Sequence, residues 1–317
     1  MKCLSVPALA IVAACVSAAA AAQAQDYPSR VVQIVNPYQA GSTTDVLARG
    51  IAAGLSGRLG QQFVVINRPG AGGTVGALSV ARADPDGYTL LFAPALIVSV
   101  YPAARTDTGY DAEAFLPVCQ TFENAMALAV RPDSPFKTLA DLVALAREKP
   151  GALNYGHQGP STIPHLAMEE FLDHAKLKIA GIPFRGDPAV MTELLGGRIE
   201  VAAVVLGSVT GQNIRVLGVF AETRHPAFPD VQTVKEQGFD VSPTSFGGLL
   251  APARTPAPII EKLSNACAGA AKDEAYALSA MRANQPPNYY ADRDSFRARL
   301  ARDIEVKKRL LERLPKE

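Results

Sequence analysis

Short apolar runs alternate with longer amphipathic segments along most of the chain. Residues 31–35 and 63–66 are rich in β-branched side chains, which is typical of buried strands. Between them, apolar residues recur at helical spacing over 44–59, and Gly60 is a common residue at the end of a helix. This alternation predicts an α/β fold with mostly parallel sheets and helices on their faces.

The same alternation continues to the end of the chain and divides into two units. Further strands are predicted at 88–93, 125–130, 199–206, 214–221 and 246–251, and further helices at 75–83, 139–148, 256–271 and 294–313. The chain crosses between the units near 118–125 and near 240–248. We therefore expect a bilobed protein with an interlobe cleft, made of lobe 1 (25–122 and 246–317) and lobe 2 (123–245).

The last predicted helix, 294–313, is strongly charged. One side of it carries an apolar stripe made of Phe296, Leu300, Ile304 and Leu311. This spacing predicts an amphipathic helix that buries the stripe and leaves its charges in water.

The first 24 residues have the layout of an export signal. Lys2 precedes the apolar run 8–16, and the sequence Ala-Gln-Ala at 22–24 is a typical cleavage site. We expect a mature chain that begins near Gln25 in the periplasm. A lipobox ending at Cys15 is the alternative, and it would give a lipid-anchored N-terminus.

Composition narrows the possible partners. The 317 residues are 48% hydrophobic and 19% charged, with a net charge of +1. No basic block is interleaved with aromatic residues, which argues against nucleic-acid binding. Beyond the leader, Cys119 and Cys267 either pair or act as two buried small side chains, and we favour the unpaired state. Neither they nor the four His residues have metal-ligand spacing, so no metal or cofactor is predicted.

Three loops leave the ends of the first three strands, at 37–45, 67–73 and 94–97. Because the carboxyl ends of parallel strands share one edge of a sheet, these loops should converge. The loop 37–45 also opens a helix, where free backbone N–H groups and the helix dipole favour an anion. It therefore predicts a site for a small carboxylate, although Ser42 to Asp45 are also typical of a helix cap without ligand contact.

The second unit offers two similar loops, at 156–162 and 182–187. Arg185 either clamps a carboxylate with two hydrogen bonds or pairs on the surface with Asp187 or Glu193. His157 is either a ligand donor or a solvated loop residue.

Enzymatic and nucleotide-binding functions have little support. The Gly-rich segment 70–76 imitates a dinucleotide-binding loop, but no acidic residue follows the next strand. No nucleophile elbow, zinc-protease motif or supported Cys–His pair occurs. A scattered catalytic triad in an exported hydrolase is the alternative that sequence leaves open.

An ordered set of short motifs spans nearly all of the mature chain. They are Tyr-Pro-Ser-Arg at 27–30, the loops 37–45 and 67–73, Asp-Pro-Asp-Gly-Tyr-Thr-Leu-Leu at 84–91, Leu-Asn-Tyr at 153–155, Pro-Phe-Arg-Gly at 183–186, Leu-Leu-Gly-Gly at 194–197 and Gly-Leu-Leu-Ala-Pro at 248–252. Together they resemble the Bug family, the extracytoplasmic solute receptors of tripartite tricarboxylate transporters.

The resemblance implies a type II periplasmic binding-protein fold, a small carboxylate ligand and no enzymatic activity. It also implies delivery to the large and small membrane subunits of a transporter by a monomer, with a sensor for a signalling partner as the alternative. The ligand-contacting residues that it implies are Tyr38, Ala40, Gly41, Ser42, Thr43, Asp45, Ala95, His157, Gly159, Ser161, Thr162, Arg185, Gly186 and Asp187. The family usually has a more glycine-rich first loop, so Tyr38 and Gln39 should make that wall bulkier and more polar.

Overall fold

The computed structural model describes residues 27–104, 107–160, 162–241, 245–283, 285–287 and 289–313, so the predicted leader and Ser161 lie outside it. The strands are β1 Val32–Asn36, β2 Phe63–Asn67, β3 Thr89–Pro94, β4 Phe115–Asn124, β5 Met126–Val130, β6 Asn154–His157, β7 Ala180–Pro183, β8 Val201–Val205, β9 Arg215–Phe220 and β10 Ser245–Pro252. The helices are α1 Thr43–Leu59, α2 Thr74–Ala81, α3 Leu96–Ser99, α4 Tyr101–Ala104, α5 Leu139–Glu148, α6 Ile163–Ala175, α7 Asp187–Leu195, α8 Ala257–Ala270, α9 Glu274–Arg282 and α10 Arg293–Arg313.

The strands form two five-stranded sheets, ordered β2-β1-β3-β10-β4 and β7-β6-β8-β5-β9. In the first, β1 pairs in parallel with β2 and β3, whereas β10 is antiparallel to β3 and β4. In the second, β6 pairs in parallel with β7 and β8, whereas β5 is antiparallel to β8 and β9. Each sheet thus has a single reversed strand, which confirms the predicted mostly parallel, mixed architecture.

The chain crosses between the sheets twice. β4 ends at Asn124 and β5 begins at Met126, so one residue, Ala125, separates strands of different sheets. The return runs from β9 to β10. The molecule therefore consists of two α/β lobes joined by adjacent strands.

Each sheet is covered by helices on both faces. In lobe 1, one apolar cluster includes residues of α1, α8 and α9, and a second includes residues of α2 and α10. In lobe 2, α5 and α6 contribute to one cluster and α7 to the other. Full burial of one Leu or Ile side chain stabilises a fold by about 1.5–3 kcal/mol, so these clusters hold the strand ends in place.

The preference for unpaired cysteines is wrong. Cys119 on β4 and Cys267 on α8 form a disulfide, with Cα atoms 6.5 Å apart and both residues fully buried. The pairing follows from the packing of α8 against β4, a contact between segments 148 residues apart that sequence spacing does not reveal.

Three short helices are absent from the sequence prediction. α3 begins within the segment 94–97 that was expected to be a loop, and α4 follows it; with four residues each, both are too short to show a helical period. In α9 only Tyr276 and Ala280 are buried, so its sequence shows little of the apolar periodicity by which a helix is predicted. Within the described ranges, no helix has the length and apolar character needed to cross a bilayer.

Candidate functional site

The carboxyl ends of β1, β2 and β3 lie at one edge of the first sheet, because the three strands are parallel. The ends of β6, β7 and β8 share an edge of the second sheet for the same reason. Leu96, which follows β3, packs against the core cluster of lobe 2. The strand-end region of lobe 1 therefore adjoins lobe 2, as expected for an interlobe site.

The loop between β1 and α1 is folded by its own hydrogen bonds. Gly41 has a φ of +82°, a left-handed conformation that favours glycine, and its N–H donates to Asp45 Oδ2 over 2.9 Å. Ser42 caps α1, because its Oγ accepts from the Asp45 N–H over 3.3 Å. Ala40, Gly41 and Thr43 are exposed at the loop surface.

Asp45 is buried and its carboxylate is fully engaged inside lobe 1. Besides Gly41, it accepts two hydrogen bonds from Arg49, each 3.0 Å long, and one of 2.8 Å from Asn67 Nδ2. Burial alone raises the pKa of Asp45, but the bonds from Arg49, Gly41 and Asn67 outweigh burial and hold the pKa below its usual value. Asp45 thereby ties the first loop to the end of β2.

Tyr38 faces inward to a greater extent than the sequence suggested. Its side chain packs against the core cluster of lobe 1, beside Tyr101 and Tyr110, and burial raises the pKa of its hydroxyl. Its carbonyl accepts hydrogen bonds from Asn36 and Asn67. Because Tyr38 is partly buried, the contribution of its ring to a cleft wall stays a prediction. Ala95 is also buried, and its N–H donates to the Phe246 carbonyl over 2.7 Å.

Asp187 has the same role in lobe 2 as Asp45 has in lobe 1: its buried carboxylate accepts hydrogen bonds that hold the loops together. It is buried in the first turn of α7 and accepts from Gln158 Nε2 over 2.6 Å, Ser208 Oγ over 2.6 Å and the Val205 N–H over 3.1 Å. Gln158 follows β6, Val205 is the last residue of β8, and Ser208 lies in the segment after β8. Asp187 therefore joins three strand-end segments of lobe 2.

His157 is a buried residue at the end of β6, so the solvated-loop alternative is wrong. Its ring stacks on that of His165 at a centroid distance of 4.3 Å, and its Nδ1 lies 2.9 Å from the Gly159 carbonyl oxygen and 3.2 Å from the Gly159 backbone nitrogen, so the tautomer decides which of the two it bonds. Burial and the neighbouring His165 lower the pKa of His157 to about 4. At neutral pH the stacked pair is therefore uncharged, which removes the repulsion between two imidazolium rings.

The N-terminus of α6 lacks a side-chain cap. Thr162 holds the N-cap position, but its Oγ1 donates to the Gly159 carbonyl over 2.7 Å and accepts no helix N–H. Gly159 has a φ of +119°, and a Cβ built there would meet open space. The first turn of α6 includes Pro164, which has no N–H, and the Leu166 N–H donates to the Thr162 carbonyl over 2.9 Å, so this end of α6 favours an anion through the helix dipole.

Arg185 and Gly186 precede α7. Gly186 is its N-cap with a φ of +85° and supplies no side chain. Arg185 is exposed, and its guanidinium makes no ion pair within the part of the chain that the structure describes. The two acidic partners that the sequence suggested for Arg185 bind other groups. Glu193 pairs with Arg198, and Asp187 accepts from the three donors given above.

Sequence reasoning missed the polar residues that hold these loops. Asn67 is the last residue of β2, and Gln158 and Ser208 follow β6 and β8, positions at the site edge that could have identified them. No group of three or more His, Cys, Asp or Glu side chains suited to a metal occurs among the described residues.

The comparisons with known proteins agree with this arrangement. The model of the tripartite tricarboxylate transporter receptor family, TctC, matches residues 47–314. A UPF0065 protein from the TAR-I ttuE-ttuC' intergenic region of Agrobacterium vitis is 39% identical over 259 residues, covering 80% of this chain and 75% of that protein. Protein BugT of Bordetella pertussis is 32% identical over 256 residues, 78% of each chain.

Solved structures show the same fold. A TctC solute binding protein from Polaromonas, without ligand, has a TM-score of 0.84 at 30% identity, covering 91% of this chain and all of that one. An R. palustris protein with adipate has a TM-score of 0.69 at 28% identity, covering 90% and 98%. MatC from Rhodopseudomonas palustris with bound malate has a TM-score of 0.66 at 26% identity, covering 90% and 100%. The chain therefore belongs to the tripartite tricarboxylate transporter receptor family, and its two lobes are those of a solute-binding receptor.

Proposed function

We propose that this protein is a periplasmic receptor that captures a small carboxylate between its lobes and delivers it to a tripartite tricarboxylate-type transporter. The observation that carries the proposal is that, at the strand-end loops, the acidic acceptors are already hydrogen-bonded within the protein whereas a cationic donor is still exposed. The two loop carboxylates, Asp45 and Asp187, are saturated by internal donors. The exposed guanidinium of Arg185 remains as a donor, and the N-terminal end of the α6 dipole lies at the same strand-end loops.

Such an arrangement favours an anion with oxygen acceptors. A helix dipole stabilises a carboxylate near the N-terminus, and a guanidinium binds a carboxylate with two parallel hydrogen bonds. In the proposed mode, the loop 37–45 holds one end of the ligand through its exposed residues Ala40 and Thr43. The loops with Gly159, Ser161, Thr162 and Arg185 hold the other end. Asp45, Asp187 and Tyr38 position these loops and do not contact the ligand.

The bound ligands of the similar structures suggest a size range. One R. palustris protein holds adipate and MatC holds malate, which are dicarboxylates with six and four carbons. We infer that a dicarboxylate in this range is the best first candidate for this chain. We propose the large and small membrane subunits of such a transporter as its partners, because the chain belongs to a transporter receptor family.

Capture requires the lobes to move. We propose that lobe 1 (25–122 and 246–317) and lobe 2 (123–245) close as a monomer about the two crossing segments, and that contacts from lobe 2 favour the closed population. Export with cleavage near Gln25 places the receptor in the periplasm in this proposal.

A thermal-shift screen of the mature protein tests the proposal. Malate, adipate and other four- to six-carbon dicarboxylates are compared with their dimethyl esters, which keep the carbon skeleton but lose the charge. A ligand that binds only the native state raises its stability, by about 2.7 kcal/mol at 100 times its Kd. We expect at least one acid, and none of the esters, to raise Tm. Equal shifts with acids and esters, or turnover of the acid detected by NMR, would reject the receptor proposal.

A further inference from the structure

The C-terminal helix α10 carries three charged residues at helical spacing on one face. Arg299, Asp303 and Lys307 are each four residues apart, so their side chains follow one another along the helix. Each contacts a different part of the molecule. We call this face the α10 strap.

The first contact of the strap is with the crossing strands. Arg299 donates to Glu123 Oε2 over 2.6 Å, and its guanidinium lies 4.2 Å from the ring centroid of Phe246. Glu123 on β4 and Phe246 on β10 are register partners next to the points where the chain passes between lobes. Arg299 therefore holds both crossing strands together at the hinge.

The second contact is with the site edge of lobe 1. Ser99 Oγ on α3 donates to Asp303 Oδ2. α3 begins at Leu96, the residue that packs against the lobe 2 core. The middle of the strap therefore lies against the lobe 1 segment that touches lobe 2.

The third contact crosses to lobe 2. Lys307 is only 1% exposed, and its Nζ lies 3.1 Å from Glu170 Oε2 on α6. The N-terminus of α6 is the uncapped turn at Thr162. A buried ammonium without a counterion is strongly unfavourable, so this pair resists a change in the separation of the helices. Next to it, a groove of about 730 Å³ lies between the helices and is lined by charged residues of both, including Asp173 and Arg302.

We propose that the α10 strap sets the resting separation of the two lobes, with Lys307–Glu170 as the contact that releases when the lobes move. The pair is absent from the ligand contacts proposed above, so it acts on the position of α6 and not on the ligand itself. This inference rests on the proposed function only in treating the lobes as mobile. The experiment that tests the strap uses the protein without ligand. It can therefore be done, and can fail, independently of whether a ligand is identified.

Pulsed electron spin resonance between the lobes tests the strap. Spin labels are attached after Ala53→Cys on α1 and Glu148→Cys on α5, two exposed positions, while the native cysteines are buried in their disulfide. Lys307→Met is compared with Lys308→Met, an exposed lysine on the same helix. We expect a second distance population in the Lys307→Met protein and an unchanged distribution in the Lys308→Met protein.

Glu170→Gln should reproduce the second population, and the double variant Lys307→Met/Glu170→Gln should add nothing further, because both changes remove one interaction. If Lys307→Met does not fold, Glu170→Gln decides the test, since its side chain is already 19% exposed. A folded variant, shown by circular dichroism, that keeps the wild-type distance distribution overturns the proposal.

Discussion

Gln158 Nε2 donates a 2.6 Å hydrogen bond to Asp187 Oδ1, and this bond joins the loop after β6 to the first turn of α7. The same carboxylate binds Ser208 and the backbone of Val205. Three segments of lobe 2 therefore depend on one buried acid. Asp45 has the corresponding place in lobe 1, where it binds Gly41, Arg49 and Asn67.

Asp187→Ala should destabilise the protein and weaken ligand binding. The change leaves buried donors without their acceptor, and loss of a hydrogen bond to a charged group costs about 1.5–3 kcal/mol. Urea unfolding and calorimetric titration measure the two effects. Asp133→Ala, at an exposed position, is the control and should leave both unchanged. Normal affinity in folded Asp187→Ala protein contradicts a loop-positioning role.

Arg185→Ala should lower the affinity for an acidic ligand while leaving stability unchanged. Arg185 makes no ion pair in the described part of the chain, and one charge-assisted hydrogen bond to a ligand contributes about 1.5–3 kcal/mol. Arg147→Ala, an exposed arginine on α5, is the matched control. If the two variants bind with the wild-type Kd, Arg185 does not contact the ligand.

Stability should fall with acid because of His157. Its pKa is about 4 in the folded protein, whereas an unfolded His titrates near pH 6.5. Between these values the unfolded state binds more protons, so this contribution is present above pH 6.5 and is lost as the pH falls through about 4. His157→Gln should reduce the slope of the unfolding free energy in that window, by at most roughly 1.4 kcal/mol per pH unit.

Urea unfolding at several pH values from 4 to 7 measures that slope. His174→Gln changes an exposed His on the same lobe and serves as the control. An equal slope in His157→Gln and wild-type protein means that His157 titrates alike in both states, contrary to its buried, stacked position.

Removal of the disulfide should cost substantial stability. Cys119 and Cys267 close a loop with a sequence separation of 148, for which the chain-entropy model gives about 5 kcal/mol. The double variant Cys119→Ala/Cys267→Ala should therefore unfold at lower urea concentration than the oxidised protein. A thiol assay on the denatured mature protein is the direct check. Two free thiols there would show that the bridge does not form.

Local patterns predicted the fold well because both lobes repeat the strand–loop–helix order. Residues 44–59, for example, show the helical period of α1, and the structure places α1 at Thr43–Leu59. Lys307 shows the limit of this reasoning. Its position lies on the same helix face as Leu300 and Leu311. From sequence alone, however, a lysine is expected at the surface, and only the partner Glu170 explains its burial.

The candidate site was harder to predict than the fold. Most of the predicted loops lie at strand ends, since parallel strands bring their ends together, but the segment after β3 contains the helix α3. The roles of Asp45 and Asp187 depend on donors far away in sequence, such as Asn67 and Ser208, and no local pattern reveals them. The disulfide was missed for the same reason.

Calorimetric titration of the mature protein with the acid that gives the largest thermal shift tests the central claim most directly. We expect one saturable site per chain, together with an affinity that falls in Arg185→Ala and is kept in Arg147→Ala. No binding of any small carboxylate, or binding that leaves the carboxylate chemically changed, would contradict it.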